Sequence, residues 1–159
     1  LDGRFAAGMG VLVEGGRFAA VAPLHELAGQ GLEPLHLPGH ALLPGFVDAH
    51  THLSQGFGKA LAFGEPSEIF RRIWVPLESH LDEETVFLSA KLAALEALRG
   101  GFTTVVDAGT RHETGAAIIA RATQEAGLRC VLGLICNDAG QDAAPILARA
   151  EAHLARWSG

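Results

Sequence analysis

The sequence predicts an α/β fold in which parallel strands alternate with helices, preceded by a small β region. From Ala41 onward, short apolar runs alternate with segments of helical periodicity, a pattern typical of parallel βα units. Before Ala41, the apolar runs are short and separated by glycine, which favours strands joined by tight turns. The first βα unit also carries a long insert after its strand, at Ser54 to His80.

The β region covers residues 1–42. The apolar runs Gly10 to Glu14 and Arg17 to Val21 flank Gly15-Gly16, and this arrangement predicts a β-hairpin. A further short strand is predicted over Pro34 to His40, which has turn residues at both ends.

The α/β region covers residues 43–159. Its predicted elements are a strand over Leu42 to Leu53, a helix capped by Asp82, a strand over Phe102 to Asp107, a helix capped by Thr114, a strand over Arg129 to Ile135 and a helix capped by Asp142. In the first helix, Leu88, Leu92 and Leu95 recur at helical spacing, so we expect them to cover the sheet. The insert after the first strand is expected to lie over any active site, because the loops after the strands build the active-site face of an α/β barrel.

The composition is that of an ordinary globular protein, with 48% hydrophobic and 19% charged residues. No apolar run approaches the ~20 residues that a membrane helix requires. The net charge of −6 is scattered along the chain, which argues against nucleic acid and membrane partners and favours a small-molecule ligand. The sequence starts at Leu1 without a signal-like segment, so we expect that a native N-terminus is missing.

The two cysteines are Cys130 and Cys136. Both fall in the predicted third strand, about 20 Å apart. A disulfide needs Cα atoms within ~7 Å, so the two cannot pair with each other. They are predicted to be buried structural thiols of a cytoplasmic protein.

Two histidines at the end of the first predicted strand carry the strongest indication of chemistry. Side chains alternate along a strand, so Asp48, His50 and His52 share one face. Same-side residues lie about 6 to 7 Å apart, which lets two imidazoles converge on one ion held at ~2.1 Å from each nitrogen. The alternative is a chance His-x-His whose rings hydrogen-bond within the fold.

The segment Pro44 to Leu53 closely resembles the strand-one signature of the amidohydrolase superfamily. The chain as a whole is similar to the branch that contains cytosine deaminase, S-adenosylhomocysteine deaminase and chlorohydrolase. The similarity covers nearly the whole chain and includes Val11 to Val21, Val75 to Glu78 and Glu96 to Asp107.

The resemblance implies a (β/α)8 TIM barrel flanked by a small β-sandwich built from both chain ends. Residues 1–42 would be part of the sandwich, and residues 43–159 would be the first three βα units of the barrel. His50 and His52 would bind one divalent metal ion, with zinc favoured and iron as the alternative. Metal-activated water would then hydrolyse a carbon–nitrogen bond of a small, nitrogen-containing heterocyclic substrate.

The same resemblance assigns the remaining metal ligands and the acid/base residues to later strands, which the sequence does not contain. No catalytic acid or base is therefore predicted here, and the chain alone is expected to be inactive. The whole protein is expected to be a homo-oligomer. Two other readings stay open: hydrolysis of a cyclic amide in the manner of imidazolonepropionase, and a truncated, non-catalytic module.

Five further residues are weaker candidates. Glu78 matches a position that contacts substrate in the deaminases that the chain resembles, and a solvated charge before a helix is the alternative. Gln55 and His112 follow strands on the predicted active-site face, where they would contact substrate or remain solvated. Asp48 and Asp107 would orient the ligand histidines or bond to neighbouring backbone.

Overall fold

The computed structural model describes most of the chain: residues 5–29, 31, 33–65, 68–137, 140 and 142–157. The chain divides into two compact units, Leu1–Pro44 and Gly45–Gly159. Within the described ranges, no helix is both long enough and apolar enough to cross a membrane.

The first unit is built on an antiparallel β-hairpin. Strand β1 (Met9–Glu14) pairs with strand β2 (Arg17–Pro23), and the short helix α1 (Leu24–Leu27) follows. Gly15 and Gly16 have φ angles of 56° and 75°, which is the left-handed backbone that a two-residue hairpin turn requires. The predicted hairpin is confirmed.

The strand predicted over Pro34 to His40 is wrong. The structure has irregular backbone there, with a turn in which the His40 N–H donates to the Leu37 carbonyl. Pro34 and Pro38 lack backbone N–H groups, so this segment can donate few of the hydrogen bonds that a sheet requires.

The second unit is an α/β structure with a three-stranded parallel sheet, which confirms the predicted fold class. Its elements, in chain order, are β3 (Phe46–Thr51), a 3₁₀ segment (Leu53–Gly58), α2 (Lys59–Ala62), a π-helical turn (Phe70–Trp74), α3 (Val75–His80), α4 (Glu83–Arg99), β4 (Phe102–Asp107), α5 (Gly115–Ala126), β5 (Arg129–Leu132) and α6 (Ala143–Trp157). The strands lie in the order β3-β4-β5. Helix α4 leads into β4, α5 connects β4 to β5, and α6 follows β5. The carboxyl ends of all three strands therefore meet at one edge.

Two strands are shorter than predicted. Strand β3 begins at Phe46 rather than Leu42, where the Phe46 N–H donates to the Gly101 carbonyl at 2.9 Å. Strand β5 ends at Leu132, opposite Asp107, the last residue of β4, and the Gly133 N–H makes one more bond, to the Asp107 carbonyl.

Helix α4 covers the sheet with a different face from the predicted one. Leu88, Leu92 and Leu95 are 49%, 44% and 45% exposed, so the predicted leucine face is wrong. The core is instead formed on this helix by small side chains, which are fully buried: Val86, Ser89, Ala90 and Ala94. Small residues allow a closer approach of the helix to its neighbours than a row of leucines would.

The predicted helix caps are confirmed at two of three positions. Asp82 Oδ1 accepts from the Thr85 N–H at 2.8 Å, and Asp142 Oδ1 accepts from the Ala144 N–H at 3.1 Å. Thr114 precedes α5 but makes no side-chain cap; its φ and ψ of −94° and 5° are not the extended backbone of an N-cap, and its hydroxyl donates to Glu83 Oε1 at 2.8 Å.

The two cysteines differ in their surroundings. Cys130 lies half-buried in β5, whereas Cys136 lies beyond the end of the strand and is exposed, so the prediction of two buried thiols is wrong for Cys136. Both are free thiols. Burial raises the pKa of the Cys130 thiol to about 11.

This difference predicts selective alkylation. At pH 8, iodoacetamide should modify Cys136 at least tenfold faster than Cys130, because the thiolate is the nucleophile and Cys130 stays protonated. Peptide mass spectrometry of a time course measures the two rates within one sample. Equal labelling of both peptides in the folded protein would contradict the expectation, and labelling after denaturation provides the reference.

Candidate metal centre

The two histidines lie together where β3 ends. His50 is the penultimate residue of the strand, and His52 follows its last residue, at the start of the 3₁₀ segment. Their ring centroids are 5.3 Å apart and the rings are nearly perpendicular, at 85°. The alternation of the strand therefore brings both imidazoles to one place, with His50 exposed and His52 half-buried.

His52 is held in a defined tautomer. Its Nδ1 lies 2.7 Å from the carbonyl oxygen of Gly109, in the loop that follows β4. A carbonyl oxygen only accepts hydrogen bonds, so Nδ1 carries the proton and Nε2 keeps a free lone pair. This is the arrangement in which histidines usually bind metal ions.

The donor set fits a borderline transition metal. Imidazole nitrogen suits zinc and iron, whereas calcium and magnesium prefer oxygen ligands. Among the described residues, no group of three or more His, Cys, Asp or Glu side chains could hold a metal ion. A catalytic zinc site has three protein ligands, so His50 and His52 would form part of such a site.

Asp107 is the last residue of β4, paired in register with Thr51 of β3 between the two histidines, and is 1% exposed. Its Oδ2 accepts from the Leu53 N–H and its Oδ1 from the Gly109 N–H, both at 2.8 Å. Burial raises the pKa of this carboxyl, and the two N–H groups oppose that rise. Asp48 also bonds to backbone, because its Oδ1 accepts from the His50 N–H at 3.1 Å. Neither carboxylate bonds directly to an imidazole in these hydrogen bonds.

A cavity of about 430 Å³ adjoins the histidines. His50, His52 and Gln55 all line it, so the structure brings one of the three candidate substrate residues beside the pair. Lys59 and Glu96 form an exposed ion pair on its wall. The cavity therefore joins the two imidazoles and a few polar side chains to apolar ones such as Leu53 and Phe102, which is a common composition for a small-molecule site.

Glu78 is buried in an ionic network, so the alternative of a solvated charge is wrong. The residue is 3% exposed; its Oε1 accepts from the Ser54 hydroxyl at 3.2 Å, and its Oε2 pairs with the Arg111 guanidinium. Arg111 in turn lies 4.5 Å above the Phe70 ring. Glu78 does not line the cavity beside the histidines.

His112 lies in the loop after β4 and is half-buried. Its Nδ1 is 3.2 Å from the Thr114 hydroxyl, and its backbone N–H donates to Thr110 Oγ1. It does not line the cavity that His50 and His52 share.

Comparison with known proteins identifies the family of the chain. The family model described as the Amidohydrolase family matches residues 41–157. The chain belongs to the amidohydrolase family.

Two deaminases are among the proteins similar to this chain in sequence. The chain is 38% identical over 106 residues to a 5′-deoxyadenosine deaminase of Methanobrevibacter smithii, a match over 65% of this chain and 23% of that protein. It is 32% identical over 140 residues to a 5-methylthioadenosine/S-adenosylhomocysteine deaminase of Syntrophobacter fumaroxidans, over 86% of this chain and 31% of that protein. The chain thus spans less than a third of the length of these curated relatives.

Solved amidohydrolase structures share the fold. An adenosine deaminase from Xanthomonas campestris with bound zinc superposes with a TM-score of 0.77 and 26% identity, over 94% of this chain and 35% of that one. The guanine deaminase of E. coli superposes with a TM-score of 0.74 and 21% identity, over 92% and 36%. The second likeness concerns the fold alone.

Three residues around this amidohydrolase site were absent from the sequence prediction. Gly109 fixes the His52 ring through its carbonyl, and Ser54 and Arg111 hold the Glu78 carboxylate. Arg111 and Gly109 both follow β4 on the expected site face, which is the signal that could have drawn attention to them. No sequence pattern predicts which residues Gly109 and Arg111 contact.

Proposed function

We propose that the whole protein is a metal-dependent deaminase that releases ammonia from an adenine-bearing nucleoside. The observation that carries the proposal is the pairing of His50 with a His52 whose Nε2 is left free. The similarity to deaminases acting on 5′-deoxyadenosine and on S-adenosylhomocysteine supports the choice of substrate class.

The fold context of this proposal is a (β/α)8 barrel. The second unit would supply the first three βα units, and residues 1–42 would form part of a β-sandwich. Support comes from the parallel order β3-β4-β5 and from the likeness to the zinc-containing adenosine deaminase. In such a barrel the carboxyl end of β3, where His50 and His52 lie, is the catalytic end.

The residues of this chain would hold and orient the metal. His50 and His52 would each offer one nitrogen, and the Gly109 carbonyl would keep the His52 ring turned with Nε2 outward. A bound divalent metal, with zinc favoured, supplies a nucleophile at neutral pH by lowering the pKa of bound water to about 7. The remaining ligand and the acid/base group would come from polypeptide outside this chain.

Three residues are proposed to contact the substrate. Gln55 has the most direct support, because it lines the cavity that His50 and His52 also line. Glu78 has lone pairs beyond those used by Ser54 and Arg111, and a substrate would reach them by displacing the guanidinium. His112 would face the substrate only through its ring edge away from Thr114.

Ammonia release by the whole protein tests the function. The substrates to compare are 5′-deoxyadenosine, 5′-methylthioadenosine, S-adenosylhomocysteine, adenosine, guanine and a cyclic amide, and we expect turnover to be fastest with the adenine nucleosides. Opening of the cyclic amide without ammonia from any purine would favour the imidazolonepropionase-type reaction. No turnover of any of them by zinc-loaded protein would favour a non-catalytic module.

The cellular setting is a further part of the proposal. A cytoplasmic location is supported by the two free thiols, and a small-molecule ligand rather than nucleic acid or membrane by the net charge of −6. We also propose that the whole protein is a homo-oligomer. Light scattering after size exclusion measures that state directly.

A further inference from the structure

A chain of hydrogen bonds links the Asp107 carboxylate to the His52 imidazole through the backbone of Gly109. The Gly109 N–H donates to Asp107 Oδ1 at 2.8 Å, and the Gly109 carbonyl accepts from His52 Nδ1 at 2.7 Å. The other oxygen, Oδ2, accepts from the N–H of Leu53, the residue next to His52. Asp107 therefore holds the backbone N–H beside His52 and the N–H of Gly109, the residue whose carbonyl accepts from the His52 ring.

The Gly109 backbone has little freedom to move. Its φ is +95°, in the region that residues with a side chain rarely adopt, and the residue is buried. A Cβ there would lie 2.9 Å from the Ile135 nitrogen and 3.2 Å from the Gly133 carbonyl oxygen. Packing on one side and the hydrogen bond from its N–H to Asp107 thus both restrain the Gly109 backbone that carries this carbonyl.

The two hydrogen bonds require an aspartate. Both partners of Asp107 are N–H donors, so each of its two carboxyl oxygens accepts one hydrogen bond. An asparagine would turn an NH₂ group toward one of the donors and lose that bond. Burying a carboxyl group is costly unless it is hydrogen-bonded. At 1% exposure Asp107 has two such bonds, one from Leu53, next to His52, and one from Gly109, whose carbonyl bonds to the His52 ring.

We propose that Asp107 is a positioning residue for the metal ligand His52. By restraining the Gly109 backbone, it keeps the carbonyl that bonds to Nδ1 in place, so that Nε2 is the nitrogen available to the metal. This inference rests on the proposed function, in which His52 binds the ion. Loss of such an outer partner typically lowers metal affinity by about 10- to 100-fold.

The test compares Asp107→Asn with Thr123→Ala in the whole protein. Thr123 is a matched control, because it is also a buried polar residue, 2% exposed, and its hydroxyl bonds to the Ile119 and Ala120 carbonyls of its own helix. Zinc affinity is measured by competition with a chromogenic chelator, and the ligand field by the visible spectrum of the Co²⁺-loaded protein. We expect zinc binding about 10- to 100-fold weaker and an altered Co²⁺ spectrum for Asp107→Asn. Thr123→Ala should lower only the melting temperature.

Two results would overturn the inference. One is wild-type zinc affinity with an unchanged Co²⁺ spectrum in Asp107→Asn, and the other is an equal loss of zinc in Thr123→Ala, which would tie metal loss to general destabilisation. Gly109→Ala is the second variant, since it displaces the same carbonyl while keeping the carboxylate. If neither variant folds while Thr123→Ala does, Asp107 acts on folding and the inference also fails.

A parallel measurement separates this inference from the proposed function. The variant His50→Ala/His52→Ala is titrated with zinc beside the others. If it binds zinc as tightly as the wild type, the metal site itself is wrong. If it loses zinc while Asp107→Asn does not, only the positioning role of Asp107 is wrong.

Discussion

Replacement of both His50 and His52 by alanine should remove bound metal and activity from the whole protein. We expect kcat/KM for the best nucleoside substrate to fall by more than about a thousandfold, because no metal would lower the pKa of the attacking water. Compared in metal-free form, the variant and the wild type should melt at similar temperatures, whereas bound metal should raise the melting temperature of the wild type alone. Metal analysis per chain and ammonia release measure the two losses.

His80→Ala is the matched control for that double variant. His80 is an exposed histidine at the end of α3, and its Nδ1 lies 2.7 Å from the Pro76 carbonyl oxygen. Its loss should leave metal content and turnover unchanged. Normal turnover by the double variant, or an equal loss in His80→Ala, would contradict a metal site at His50 and His52.

The elements that sequence predicts well depend on local interactions. The β-hairpin follows from two adjacent glycines between apolar runs, and the Asp82 cap follows from a side chain that bonds three residues ahead. The approach of the His50 and His52 rings is equally local, because it needs only the two-residue repeat of a strand.

The packing of α4 was less predictable because hydrophobicity alone does not identify the face that packs most closely. Leu88, Leu92 and Leu95 form the more hydrophobic stripe, yet the fully buried residues include Ala90 and Ala94. The identity of the neighbouring surface decides which stripe is covered, and that surface comes from residues distant in the sequence.

The connections within the site were beyond prediction for a related reason. His52 and Gly109 are 57 residues apart, and Glu78 and Arg111 are 33 residues apart. Each contact joins the segment between β3 and α4 to the loop that follows β4. No periodicity within either segment predicts these contacts. The sequence therefore indicates where the site lies but not which residues bond to each other there.

Replacement of Arg111 by methionine should destabilise the whole protein by about 3 kcal/mol, because it removes the cation from a buried carboxylate. The Glu78 side chain has no exposed surface, and the Ser54 hydroxyl would be its remaining partner among these contacts. Chemical denaturation measures the loss as a lower midpoint. Arg72→Met is the control, since Arg72 pairs with Glu65 at the surface and such pairs contribute about 0–1 kcal/mol.

The double variant Glu78→Gln/Arg111→Met then separates the structural role of Glu78 from its proposed contact with substrate. Removing both charges leaves no unpaired carboxylate, so most of the stability lost in Arg111→Met should return. If Glu78 contacts the substrate, this restored protein should still show a raised KM for the nucleoside. Wild-type kinetics in a protein of recovered stability would limit Glu78 to holding together the loops that surround the metal centre.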